Sequence, residues 1–392
     1  MWGQASAEPT GLTEALTRAR HRIGAFRAFA GISYGASVDP AYTDIISYVS
    51  YCGTGQNRKL GDKLDILPVH YSNLVQALRH EDIVILIRLA QGADDDHFSF
   101  GPGADYVADL LSVARLVIAE VSSGTPQTGT GRDIKRSDID YIVRTRTPCL
   151  SPPQGKAGDA EAKIAQNVAS LIEDGATLQI GLGALPGAIL KALHGHKDLG
   201  VHSGLITGEV ADLCTAGVIT NSRKTLDRGL TVTGLLSGDE RLMQWADGNS
   251  RLSIRPTSYT HAPDTLRAID RFVAINSAIE VDLTGQVNAE IAAGRYVGAV
   301  GGAANFLRGA AESKGGLGII ALPSTARDRS RIVSQLSGPV TTARADIGFV
   351  VTEHGIADLR NATLTQRQER LLAIADPLHQ DGLTTSQVEP SN

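Results

Sequence analysis

Residues 176–206 read ATLQIGLGALPGAILKALHGHKDLGVHSGLI, and this stretch decides the fold. Ala176 to Ile180 is a short apolar run of strand length. Gly181 to Gly187 interrupts it as a loop, Ala188 to Leu193 has helical character, and Leu199 to Ile206 is again an apolar strand. Together they form a β-loop-α-β unit, and such a crossover pairs its two strands in parallel. Upstream, Asp159 to Asp174 sets Ile164, Val168, Leu171 and Ile172 on one helical stripe. Asp159 reads as its N-cap and Gly175 as the residue just past its end. Downstream, further buried strands are predicted over Arg271 to Ile275, Gly318 to Leu322 and Ile347 to Thr352.

The first part of the chain follows the same plan. Leu12 to Arg20 and Ala104 to Arg115 read as helices, and Ile83 to Ala90 and Leu116 to Val121 as near-continuous apolar strands. Strands of that kind belong in a parallel sheet covered on both faces. Thr145 to Gly158 (TRTPCLSPPQGKAG) packs three prolines and two glycines into a break. The predicted organisation is therefore an N-terminal α/β domain over 1–145, a linker over 146–158, a C-terminal α/β domain over 159–383 and a polar tail over 384–392. A chain of 392 residues suits two domains of ordinary size.

Composition narrows the function. With 42% hydrophobic and 20% charged residues the chain can bury a large core, which excludes wholesale disorder. The net charge is −5 and there is no basic tract, which argues against nucleic acid as a partner. No run of 18 apolar residues suggests a membrane span, and Met1 to Ala30 has no apolar signal region. Cys52, Cys149 and Cys214 are odd in number and scattered, so reduced thiols and a cytoplasmic location are expected. No histidine or cysteine spacing suggests a metal site.

Three segments carry the chemistry. In the first, Gly181-Leu182-Gly183-Ala184-Leu185-Pro186 joins a strand to a helix, where glycines admit a ligand to the backbone and the helix start favours an oxyanion or phosphate. Pro186 stands where a dinucleotide fingerprint needs its third glycine, so that reading is poor. The second is AAGRYVGAVGGAANF (292–306), whose Gly294, Gly298, Gly301 and Gly302 leave backbone almost bare: either a wall for a thin ligand or a bent strand. The third is NSAIEVDLTGQVN (276–288), with Glu280 and Asp282 just after a buried strand. His202 lies inside an apolar strand, a position more often structural than catalytic.

Taken in order, these segments, with LVIAEV (116–121), SDIDYIV (137–143), IIALPSTA (319–326), SRIV (330–333) and VVTEHGIADL (350–359), resemble the acetyl-CoA hydrolase/transferase family, the branch of class I CoA-transferases that includes 4-hydroxybutyrate CoA-transferase. The resemblance implies a class I CoA-transferase-like fold of two α/β domains with mainly parallel sheets. It also implies an active site between the domains and an acyl-CoA substrate. Coenzyme A then enters and leaves as a substrate, with no permanently bound cofactor, and the protein is expected to be a homodimer. On this resemblance, Gly181, Leu182, Gly183, Ala184, Leu185, Asn276, Gly298, Gly301 and Gly302 contact CoA or form the oxyanion hole.

The departures matter more. In the transferases the strand after the first glycine loop carries the glutamate that is acylated. Here that strand reads Val201-His202-Ser203-Gly204-Leu205, and Gly204 takes the glutamate's place. Leu317 replaces a lysine common in the family, and the opening strand before a G-x-x-x-x-P turn is absent, so the first sheet either lacks an edge or borrows one from another chain. Three readings follow. The protein is an acyl-CoA enzyme in which water or a bound acceptor attacks directly, with His202, Glu209 or Glu280 as base; or a CoA-transferase with a relocated glutamate, Glu209 or Glu280; or a CoA-binding protein without activity.

Overall fold

The structure is a computed structural model, and it describes residues 1–79, 82–92, 94–129, 133–153 and 155–385. The N-terminal half is built on β1 (Val84–Gln91), β2 (Leu116–Ser122) and β3 (Tyr141–Thr145), which pair in parallel in the order β1-β2-β3. Two short antiparallel strands, His97–Ser99 and Ile134–Lys135, extend the sheet beyond β1, so it is mixed rather than wholly parallel. Ile85, Ile87 and Leu89 of β1 face one side, against α1 (Tyr71–Leu78) and α2 (Asp105–Leu110). Leu86 and Ile118 face the other, with Leu12 and Leu16 of the helix Thr10–Ile23 and a three-stranded parallel sheet of Phe26–Phe29, Ile46–Ser50 and Leu64–Ile66. The alternation along β1 is what a strand buried on both faces requires.

The edge expected to be missing is filled from within. The Met1 amine donates to Val84 O, Leu86 N donates to Met1 O, and Trp2 bridges Leu86 in parallel. On the same face as Leu86 and Ile118, Arg88 and Glu120 form a fully buried ion pair at 3.1 Å. The Arg88 guanidinium also donates to Glu8 O, Thr125 Oγ1 and Thr147 O, which satisfies its donors inside the core.

The C-terminal half begins at α3 (Asp159–Ala169), preceded by Gly158 rather than Asp159 at its N-cap. Next come β4 (Thr177–Ile180), α4 (Ala184–Ala192), β5 (Gly200–Ile206), α5 (Gly208–Thr215), β6 (Thr231–Leu236) and β7 (Leu252–Ile254). Then follow β8 (Phe272–Ser277), α6 (Ala303–Glu312), β9 (Leu317–Ala321), β10 (Phe349–Thr352) and β11 (Gly355–Asp358). The eight strands lie in the order β7-β6-β5-β4-β8-β9-β10-β11, all parallel except the last hairpin. The α4 helix starts four residues before the position expected from sequence. Pro186 is its third residue, where the missing N–H would have no helical partner in any case.

Segment 146–158 carries no regular structure among its described residues. The halves it joins are not independent bodies, because one apolar cluster runs through both. Of the expected tail over 384–392, residues 384 and 385 end the last helix, Gln380–Thr385, and residues 386–392 lie outside the described ones. Among the described residues no helix is long and apolar enough to cross a membrane.

Candidate active site

The strand order reverses between β4 and β8, which are neighbours in the sheet. In open α/β sheets the carboxyl ends of strands at such a point form the ligand crevice. The turn Gly181–Gly183 leaves β4 there, and Gly183 has φ +120°, a conformation few side chains tolerate. Gly181 is half-buried and Gly183 exposed, and a Cβ added at Gly181 would meet no heavy atom within 4 Å. Ala184 and Leu185 open α4, so their N–H groups belong to the first helical turn and have no partner within the helix. Just beneath, Asn276 and Gln179 exchange side-chain hydrogen bonds across the two strands, at 2.9 and 3.4 Å. Asn276 thus braces the crevice floor.

The second glycine cluster divides by role. Gly294 turns the hairpin Ile291–Ala292/Arg295–Tyr296 with φ +73°. Gly298 packs on Ala289 O, and its carbonyl accepts from Gly53 N at 2.8 Å. Ala299 bridges Cys52, and Gly301 O accepts from Tyr71 N at 2.9 Å. The segment therefore runs as a seam between the halves, and Gly302 caps the start of α6.

What Gly302 faces is His261. A Cβ at Gly302 would lie 2.6 Å from His261 Nε2, and a Cβ at Gly204 would lie 2.9 Å from the same nitrogen and 2.7 Å from Cε1. The imidazole therefore fills the space that two missing side chains leave between β5 and α6. Its ring stacks on Phe306 of α6 (centroids 4.5 Å apart) and on Tyr71 of α1 in the other half (4.8 Å). Burial lowers the pKa of His261 to about 3, with His202 adding a smaller push, so the ring is neutral at ordinary pH. Behind Tyr71 lies a buried polar cluster. The Tyr71 hydroxyl donates to Asp105, Gln4 Nε2 donates to Tyr71 and to Asp105, Tyr51 donates to Gln4 Oε1 (2.8 Å), and Thr257 donates to Asp105 (3.1 Å). Desolvation raises the Asp105 pKa to about 6 despite those donors.

The three carboxylate and imidazole candidates from sequence do not converge. His202 is wholly buried, and its Nε2 donates to Thr260 O at 3.1 Å. Its Nδ1 has no partner, and burial lowers its pKa to about 4. It packs against Tyr259 and Phe272. Glu209 is drawn onto α4: it accepts from Thr207 Oγ1 at 2.7 Å, and its Oε1 lies 3.0 Å from where Gly187 would carry a Cβ. Glu280 accepts from Asn288 Nδ2, Ser337 N, Ser337 Oγ and Gly338 N, and so ties down the loop around Ser337. Sequence reasoning missed His261 and Tyr71 altogether. Two cavities, of about 470 Å³ beside His97 and Asn249 and about 400 Å³ beside Ile134 and Arg255, open elsewhere between the halves, and neither is lined by the glycine turns.

Known proteins resemble this sequence and share this fold. Residues 238–387 match the acetyl-CoA hydrolase/transferase C-terminal domain. The chain is 40% identical over 328 residues to the 4-hydroxybutyrate coenzyme A transferase of Clostridium kluyveri, covering 82% of this chain and 76% of that one. Among solved structures, RipA from Yersinia pestis superposes with a TM-score of 0.93 at 32% identity, covering 98% of this chain and 92% of that one. A 4-hydroxybutyrate CoA-transferase from Porphyromonas gingivalis superposes with a TM-score of 0.82, also at 32% identity, covering 98% and 91%. The chain belongs to the acetyl-CoA hydrolase/transferase family and is an enzyme of that family.

Proposed function

We propose that the protein transfers the acyl group of a CoA thioester to water or to a bound acceptor by direct attack, without a glutamyl-CoA intermediate. The observation that carries this reading is at Gly204. The family resemblance puts the acylated glutamate at that position, where this chain has no side chain and the His261 ring occupies the adjoining space, 2.7 Å from the would-be Cβ. A carboxylate cannot stand there unless the ring moves. The acyl-CoA substrate is supported by relatives named as CoA transferases and acetyl-CoA hydrolases. An oxyanion developing on the thioester suits backbone N–H donors at the turn Gly181–Gly183, which bring no competing side chain. Gly181, Leu182, Gly183, Ala184, Leu185 and Gly302 are the residues we assign to the acyl-CoA cleft. Asn276, Gly298 and Gly301 support it from the floor and the seam. We read the active form as a homodimer, as the resemblance implies, located in the cytoplasm, as the scattered cysteines suggest, and light scattering of the purified protein tests the dimer.

The decisive test is a panel of acyl-CoAs, with and without carboxylate and amine acceptors, scored for free thiol and for new acids, esters or amides. In parallel, the protein is incubated with a turned-over acyl-CoA, reduced with borohydride and weighed intact. Turnover with an unmodified mass is the expected result. A mass change on a glutamate would overturn direct attack in favour of a transferase with a relocated nucleophile, for which Glu209, half-exposed beside α4, is the better placed of the two carboxylates.

A further inference from the structure

We propose that His261 is the general base of this enzyme, its Nε2 lone pair directed into the space between Gly204 and Gly302. The inference deepens the reading of direct attack and rests on it. It comes from hydrogen bonding around the ring. His261 Nδ1 lies 2.9 Å from Thr260 Oγ1, and that hydroxyl lies 3.3 Å from Pro256 O. A carbonyl only accepts, so the arrangement that makes both bonds has the threonine hydroxyl donating to Pro256 and Nδ1–H donating to the threonine. The opposite tautomer makes one bond and points an N–H at two glycines that offer it no acceptor side chain. The ring therefore holds its proton on Nδ1 and keeps Nε2 bare.

That nitrogen makes no hydrogen bond among the described residues, although His261 is only 4% exposed. Unlike His202 Nδ1, which is sealed in the core, His261 Nε2 keeps contact with solvent. Nε2 stands within 2.6 to 2.9 Å of the missing Cβ atoms of Gly204 and Gly302. Both glycines are only half-buried, as are Leu205 and the Val297–Val300 approach, so the ring edge lies at the foot of an open lip. Tyr71 and Phe306 hold the ring plane from two sides. The ionisable groups nearest the ring are His202 on β5, Tyr71 on α1 and, behind Tyr71, Asp105. The first lowers its basicity, and burial keeps it neutral, so the lone pair is free at physiological pH.

As the acceptor H–X attacks the thioester carbon, its proton passes to Nε2 and the carbonyl becomes an oxyanion. Collapse of that intermediate breaks the carbon–sulfur bond, and the imidazolium returns its proton to the departing CoA thiolate. Acyl-S-CoA and H–X become acyl-X and HS-CoA, with no oxidant and no other co-reactant.

The test compares wild type with His261→Ala and His261→Gln on the best acyl-CoA and acceptor of the panel, with thermal melting as a check on folding. Both variants are expected to lose about 100- to 10,000-fold in kcat, with KM within about threefold. Added imidazole is expected to restore part of the activity of His261→Ala, because the vacated space lies between two glycines, and none of His261→Gln. Activity within threefold of wild type in either folded variant overturns the proposal, as does a folded, inactive His261→Ala that imidazole leaves inactive. Nitrogen-15 NMR of histidine-labelled wild type needs no variant: a proton found on His261 Nε2 instead of Nδ1 also overturns it. A wild type that consumes no acyl-CoA removes the functional reading itself. Turnover in wild type that survives loss of the imidazole removes only the assignment of the base.

Discussion

At the scale of the residue, the site rests on an exchange of volume: two glycines give up side chains and one imidazole takes the room. Gly204→Ala puts a methyl 2.7 Å from His261 Cε1, so the variant is expected to lose about 1–3 kcal/mol in urea unfolding. Combined with His261→Ala, the two losses should fall short of their sum, because the ring that clashes is gone. Strict additivity would refute the packing relation. None of this was readable in the sequence. His261 is one of ten histidines, in a short turn without a motif, and Tyr71, Gly204 and Gly302 reach it from distant parts of the chain. What could be read was the absence at Gly204, because a missing side chain at a motif position shows without knowledge of its surroundings. Glu280 is the reverse case. A carboxylate after a buried strand reads as chemistry in the sequence, and its surroundings, four donors, are what the sequence does not show. Glu280→Ala is expected to cost about 2–3 kcal/mol by leaving the donors around Ser337 unpaired, while kcat stays within threefold.

At the scale of the element, the long apolar strands were legible and the short ones were not. β1 and β2 announce themselves by near-continuous runs of buried residues. The strands Phe26–Phe29 and Leu64–Ile66 are three or four residues long and half exposed, too brief for any periodicity to register. The β4–α4 turn was found from its glycines, and it separates two reasons for having one. Gly183 needs its left-handed backbone. Gly181 has an ordinary φ and open space around it, so neither strain nor packing demands a glycine there. If the residue is bare to let a ligand approach, Gly181→Ala should raise KM for acyl-CoA about tenfold, a loss of about 1.4 kcal/mol, with the melting temperature unchanged. An unchanged KM would move the ligand away from this turn.

At the scale of the whole molecule, two buried neutral imidazoles set the response to acid. Folding lowers the pKa of His202 from 6.5 to about 4 and that of His261 to about 3. The unfolded chain therefore binds more protons below pH 6.5, and stability falls as pH drops from there toward the folded values. By pH 5 each ring accounts for about 2 kcal/mol of that fall. Asp105 acts with the opposite sign, since its raised pKa of about 6 makes the native state gain protons first, and Glu8, also raised by burial, shares that sign. The fall between pH 7.5 and 5, measured by urea unfolding, should be about 2 kcal/mol smaller in His261→Asn than in wild type. An identical fall would mean the ring is charged or solvated.

The seam through Cys52–Gly53, Tyr71 and the 298–301 strip has a last consequence. One wall of the His261 niche belongs to the first half of the chain and the rest to the second, and an apolar cluster common to both joins them. Nicking the exposed peptide around Lys156 with a protease should therefore yield two fragments that stay together on a sizing column and keep their turnover. Neither fragment expressed by itself should hold a working pocket. Inheritance has to treat such a protein as a single piece, whatever its two-part outline suggests.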